Sequence, residues 1–172
     1  MNTIKLELLQ KADEEQFIKD NQFAFNYGAK QYFSEEELEE QNEEDGEIIS
    51  RETILQSIHH EGAIAYRIVL NEQKVGGMVI SINGEEGDLE LLFVNPSVHN
   101  KGVGQAAWKE IERLYPNIKV WETVTPTFEK RNVNFYVNKL GFHIVEYFNK
   151  YHPSSRYGIN MDEMFKFRKE IK

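Results

Sequence analysis

Polar and apolar residues alternate at the start of the chain, where Ile4, Leu6 and Leu8 interleave with Lys5 and Glu7 in TIKLELL. A period of two turns one face to a core and the other to water, so the segment predicts a strand. The period then lengthens. In EEQFIKDNQFAFNYGAKQYF the residues Ile18, Phe25, Ala29 and Tyr32 recur at spacings of seven, four and three, which gathers them on one face of a long helix. Ser34 and Glu37 stand at capping-box spacing, and Asp45-Gly46 is a turn signal; a short acidic helix ending near residue 42 satisfies both. RETILQSIHH then sets Ile54, Leu55 and Ile58 on one face of a further helix.

From residue 63 the texture becomes strand-like: AIAYRIVL, KVGGMVISI and DLELLFV, separated only by NEQ and NGEEG. Turns that short make antiparallel neighbours. A glycine turn leads into the helix QAAWKEIERLY, closed by Pro116, and then into the strand IKVWETV. Strand, helix, strand is a right-handed crossover, so DLELLFV and IKVWETV should run parallel. The helix RNVNFYVNKL stops at Gly141 with Phe142 just beyond, and HIVEYF and MDEMFKFRK supply the last strands. The expected architecture is α+β: a mixed, mostly antiparallel sheet of about seven strands with four helices, in a single domain over residues 1–172.

Charge changes the picture in one place. SEEELEEQNEEDGE (34–47) holds nine acidic residues and no basic ones, which accounts for the whole net charge of −9 and leaves the remainder neutral. No basic face is evident to track a phosphate backbone, so nucleic acid is not the expected partner. The acidic stretch is a solvated helix and loop, or an attractor for a cationic substrate. The chain has no cysteine, which excludes thiol nucleophiles, thiolate metal sites and disulfides. Its five histidines form neither HExxH nor a spaced ligand set, and no GxSxG elbow occurs, so neither a metal site nor a serine hydrolase is expected. Without a signal-like or membrane-spanning apolar run, the expectation is a cytoplasmic protein that does not enter a membrane.

The glycine turn is the main candidate for binding chemistry. Lys101-Gly102-Val103-Gly104 opens a helix whose unpaired amides and positive dipole end suit an anion, and glycines permit close approach. Gly102, Gly104 and Ala107, with Glu122 further on, also fit a dinucleotide fingerprint. Two features oppose that reading: residues 95 to 101 separate Val94 from the first glycine, and too little chain follows for two βαβ halves. No GxxxxGK[ST] exists, which removes a Walker loop.

LELLFVNP followed by His99-Asn100-Lys101-Gly102-Val103-Gly104 resembles the Q/R-x-x-G-x-G/A signature of the GNAT superfamily of acetyl-CoA-dependent N-acyltransferases, with His99 in place of the usual Gln or Arg. Phe135-Tyr136-Val137-Asn138-Lys139-Leu140-Gly141-Phe142 is similar to the family's second signature, one residue longer between Tyr and Lys than YEKLGF. The resemblance implies that the central parallel strands splay apart and that acetyl-CoA is the cosubstrate, with no metal. Its pyrophosphate would rest on the amides of His99, Asn100, Lys101, Gly102, Val103, Gly104 and Gln105, and its pantetheine arm would lie beside Phe93 and Val94, whose backbone would donate to the thioester carbonyl. Asn132 and Phe135 are further contacts to the donor. Glu129 stands where the family commonly has asparagine, so that contact does not carry over.

Acyl transfer to an amine needs a base for the nitrogen and an acid for the departing thiolate. Glu90 is the base candidate, interrupting DLELLFV on the face of Leu92 and Val94, and Tyr136 aligns with the tyrosine that serves such enzymes as general acid. The resulting expectation is an N-acetyltransferase acting by direct attack in a ternary complex; an acyl-CoA-binding module without catalysis is the alternative. The acceptor would be a small-molecule or peptide amine, cationic if the acidic stretch attracts it, with YFNKYHPSSRYG (147–158) as a candidate lining. A homodimer is compatible with this pattern, and the oligomeric state stays open.

Overall fold

A sheet with one parallel pair has one natural place to open, and the strand order shows where it lies. The computed structural model describes residues 3–41, 47–154 and 163–172. Seven strands form one sheet: β1 (Ile4–Leu8), β2 (Ala63–Leu70), β3 (Gln73–Asn83), β4 (Glu86–Val94), β5 (Val120–Pro126), β6 (His143–Phe148) and β7 (Met164–Glu170), in the order β1-β2-β3-β4-β5-β7-β6. Every neighbouring pair is antiparallel except β4 with β5. The short turns and the crossover thus produced the expected directions. Leu8, at the end of β1, departs from the alternation and is exposed.

The helices are α1 (Glu14–Ala29), α2 (Glu35–Gln41), α3 (Arg51–His59), α4 (Val103–Leu114) and α5 (Lys130–Asn134). That is five among the described residues, one for each helical segment the periodicity and caps marked, the short acidic helix included, so the expected total of four was one too low. It starts as its capping box dictates: Glu37 Oε2 accepts from the Ser34 amide at 2.7 Å, and the Glu37 amide donates to Ser34 Oγ at 3.3 Å. The turn signal Asp45-Gly46 lies outside the described residues. α1 ends at Ala29, before Tyr32, so Tyr32 leaves the helical face expected of it.

Two apolar layers hold these helices on opposite faces of the sheet. On one, α4 buries Val103, Ala107, Trp108 and Ile111 against a cluster that includes Trp121 and Phe142. On the other, Phe17 and Ile18 of α1 and Ile54 of α3 pack on Val79, Leu91 and Phe93. α1 is also fixed by charge. Arg67 of β2, 1% exposed, donates to Asp13 at 2.7 Å and to Asp20 at 2.9 Å, and Lys74 reaches Asp13 at 2.9 Å. Burial alone would raise the Asp13 carboxyl, but bonds from Arg67 and Lys74 outweigh it and leave the group below its ordinary value.

Replacing Arg67 with alanine strands two carboxylates beside an apolar layer, and we expect it to cost about 3–5 kcal/mol, read as a lower urea midpoint. Because the folded value for Asp13 is depressed, the wild-type contribution is present above the ordinary carboxylate value of 3.8 and is lost as pH falls below it.

Candidate active site

The parallel pair is short. β4 and β5 are in register only from Glu86–Val120 to Leu89–Thr123, after which β4 runs on to Val94 and β5 to Pro126 without pairing with each other. Thr123 Oγ1 donates to the Leu89 carbonyl at 2.9 Å and closes the vertex of the opening. On the far side of β4, the Asn95 amide donates to Val75 of the β3 edge at 2.7 Å. Peptide groups alternate sides along a strand, so those of Val94 face the opening.

At the wide end of this opening lies a cleft of about 480 Å³. Phe93 and Val94 form its strand wall, and His99, Asn100, Gly102, Val103, Gly104 and Gln105 its loop wall. Asn132, Phe135 and Tyr136 close it from α5. Lys101, expected among them, is exposed and outside the lining. The remaining wall comes from α1 and its following turn, through Ala24, Phe25, Gly28, Gln31 and Tyr32. No sequence motif marked that wall, because an apolar stripe reads alike whether it meets a core or a cavity.

The loop is shaped by two left-handed residues, Asn100 (φ 61°) and Gly102 (φ 73°), and α4 starts at Val103, two residues earlier than the periodicity suggested. The first bond within α4 runs from the Ala106 amide to Gly102 O at 3.0 Å, which leaves the amides of Val103, Gly104 and Gln105 without helical partners at the cleft. A Cβ on Gly104 would come within 3.0 Å of the Phe135 ring, so this glycine also lets α5 approach α4. Gln105 joins the same two elements, its Nε2 donating to Lys139 O at 3.2 Å.

His99 does not extend a long polar side chain from the loop. Its Nε2–H donates to Val94 O at 2.8 Å, and its Nδ1 accepts from Arg131 Nη1. Burial, and then the Arg131 charge, lower its pKa against the opposing pull of the Val94 bond, which agrees with a neutral ring accepting at Nδ1. Arg131 lines the cleft and its amide donates to Tyr32 Oη at 3.0 Å. It carried an overlooked signal: Lys130 and Arg131 place two cations at the positive end of α5, where the helix dipole disfavours them.

The extra residue in the second signature has a structural expression. α5 continues as a π-helical turn over Phe135–Lys139, with the Leu140 amide donating to Phe135 O at 3.0 Å, one residue further back than in an α-helix. The wider turn absorbs the insertion and keeps Tyr136 on the cleft side while Leu140 and Phe142 stay in the core. Tyr136 is 6% exposed. Burial pushes its pKa up to about 12, with Thr123 opposing and the charge of Glu129 adding to the rise. Glu129, also 6% exposed, lines the same cleft and is itself raised by burial against the pull of Arg131.

Glu90 is not on the face expected of it. The β3–β4 register slips between Val79–Leu91 and Ile80–Leu89, which leaves Glu90 as the extra residue of a bulge. The bulge breaks the alternation, so Leu92 and Val94 pack with the α4 layer while Glu90 turns to the α3 side. There its Oε1 accepts from Ser81 Oγ at 2.9 Å and lies 3.6 Å from His60 Nε2. Glu90 does not line the cleft that holds Tyr136.

A second cavity, of about 450 Å³, lies beyond the vertex. Asp88, Leu89, Glu122 to Val124, Glu146, His152 and Lys166 line it, and Ser154 at its rim belongs to the aromatic and polar stretch singled out in the sequence. Glu122 pairs with Lys166 at 2.9 Å and Glu146 with His152 at 2.8 Å. Residues 155 to 158 of that stretch lie outside the described residues. Among the described residues no cluster of ligating side chains suits a metal ion, and no helix is long and apolar enough to cross a membrane.

A mixed sheet that opens at its parallel pair, below a loop of free helix-start amides and beside a buried tyrosine, defines an acyltransferase fold that binds an extended, anion-bearing donor. The chain belongs to the acetyltransferase (GNAT) family, whose sequence model matches residues 22–142. It is 41% identical over 179 residues to the uncharacterized protein YrkN of Bacillus subtilis, covering 97% of this chain and 93% of that one. The fold is similar to that of the PaiA N-acetyltransferase of Thermoplasma acidophilum, solved in complex with coenzyme A (TM-score 0.70, 17% identity, 98% and 99% of the two chains). It is also similar to that of the ribosomal-protein-S18-alanine N-acetyltransferase of Escherichia coli (TM-score 0.68, 16% identity, 99% and 94%).

Proposed function

We propose that the chain transfers the acetyl group of acetyl-CoA to a primary amine by direct attack in a ternary complex, as a single domain acting in the cytoplasm. One observation carries this reading: a single cleft runs from the free amides of Val103, Gly104 and Gln105, past the edge of β4 at Val94 that β5 does not pair, to the hydroxyl-bearing Tyr136. Those amides receive the pyrophosphate, the open edge of β4 receives the amide-bearing arm as an added strand, and the Val94 amide donates to the thioester carbonyl as charge builds on it. Tyr136, held protonated by its surroundings, gives its proton to the departing thiolate. The chain lacks cysteine, so no acetyl-cysteine intermediate can form, which is consistent with attack by the amine itself. For the acceptor, the second cavity beyond the vertex, where Asp88, Glu122 and Glu146 outnumber the single lysine Lys166, supports a cationic amine through its net negative lining.

The test is an acceptor screen that reads free CoA with a thiol-reactive dye, to which the cysteine-free protein is silent. Release with at least one class of primary amine is expected; saturable acetyl-CoA binding with no release from any amine would overturn the reading in favour of a binding module. Arg131 lines the cleft and is tied to the amide loop through its bond to His99. Arg131→Ala should weaken acetyl-CoA binding by about tenfold in calorimetry, the value of one charged hydrogen bond.

A further inference from the structure

Glu129 is a carboxyl group with no structural use in the fold. It is 6% exposed, and what exposure it has opens on the cleft. Among the described residues no hydrogen bond or ion pair closes on it; Arg131 acts on it only through its charge. Its Oε2 faces α1 at Gly28, where even an added Cβ would stay 4.0 Å away, so Gly28 leaves it uncovered at that point. Such a group is costly to bury unless a ligand completes it. The other titratable groups lining this cleft are Tyr32, His99, Arg131, Tyr136 and Lys139. Tyr32 Oη already receives the Arg131 amide, and His99 is held between Val94 and Arg131. Arg131 and Lys139 are cations.

We propose that Glu129 is the proton acceptor for the attacking amine, positioned across one cleft from Tyr136 as the proton donor; this rests on the reading of the chain as an acetyltransferase. Both groups are raised by burial, and the Glu129 charge adds to the rise at Tyr136, so a protonated phenol and a carboxyl group of raised basicity share one cleft, which is how one site divides acid and base work. Glu129 removes one proton from the ammonium, and the nitrogen lone pair forms the C–N bond at the thioester carbon. As the C–S bond breaks, the sulfur leaves with its electron pair and takes the Tyr136 proton. The second proton of the nitrogen returns to the tyrosinate. The products are the amide, CoA thiol and a protonated Glu129, which loses its proton to solvent after release.

Glu129→Gln is the direct test, with Glu90→Gln beside it. The probes are the amine giving the fastest CoA release in the acceptor screen and hydroxylamine, which is neutral at assay pH and needs no base. With the basic amine, kcat/KM of Glu129→Gln should fall about 100-fold and lose its acid limb. Acetyl-CoA affinity should stay unchanged, and the defect should shrink with hydroxylamine, measured above the uncatalysed rate. The proposal is overturned if Glu129→Gln keeps wild-type turnover, if its loss matches a loss of acetyl-CoA affinity, if hydroxylamine is slowed equally, or if the acid limb follows Glu90 instead. Failure of the parent reading looks different, since the wild type itself would then release no CoA.

Discussion

Tyr136→Phe is expected to lower kcat on the order of 1000-fold while leaving acetyl-CoA affinity and fold intact. The ring is held by aromatic neighbours rather than by its hydroxyl: it packs on Phe135, Phe142 and Phe167 with centroids 5.6, 5.9 and 5.3 Å away. Phenylalanine keeps those contacts and changes stability by only about 1 kcal/mol. What it removes is a proton donor whose pKa of about 12 keeps it protonated through any ordinary assay. A thiolate then leaves unprotonated beside a buried ring that can no longer donate to it, and the barrier rises at bond breaking rather than at binding. Pre-steady-state measurement should show unchanged donor binding and a slowed single turnover. Equal kcat in the two proteins would remove Tyr136 from the chemistry, and a parallel loss of affinity would make it a packing residue.

The directions of β2 to β5 were legible because turn lengths constrain them: NEQ and NGEEG are too short for anything but hairpins, and the crossover through α4 forces a parallel pair; the place of β7 between β5 and β6 has no such local signal. The loop amides were legible because Gly102 and Gly104 start a helix that a strand feeds. Glu90 was misplaced because a bulge inverts the alternation on which its face was read, and nothing in DLELLFV announces the slip at Val79–Ile80. The α1 wall was hidden for a different reason. Phe25 and Ala29 satisfy the helical period equally whether they meet a core or a cavity, so periodicity locates the face and says nothing of what it faces. Glu129 and Arg131 broke local rules, a carboxyl group bound for burial and a cation at a helix N-terminus, and such violations mark a site better than the residues that obey them.

The cradle can be separated from the strain that shapes it, because the chain holds two glycines in nearly the same conformation. Gly102 (φ 73°) precedes α4, and Gly84 (φ 63°) turns β3 into β4; at neither would an added Cβ meet any atom within 4 Å. Valine at either position meets the same backbone cost, about 1–3 kcal/mol, since a β-branched residue resists the left-handed region. Both substitutions should therefore lower the melting temperature by similar amounts. Only at Gly102 does relief of that strain swing the amides of Val103 and Gly104 away from a common point. Losing two charged hydrogen bonds costs about 3 kcal/mol or more, so Gly102→Val should weaken acetyl-CoA binding by roughly 100-fold. Gly84→Val should leave the affinity unchanged. If the two variants lose affinity alike, global destabilisation explains both and the loop is no anion cradle; if Gly102→Val binds normally, the pyrophosphate rests elsewhere in the cleft.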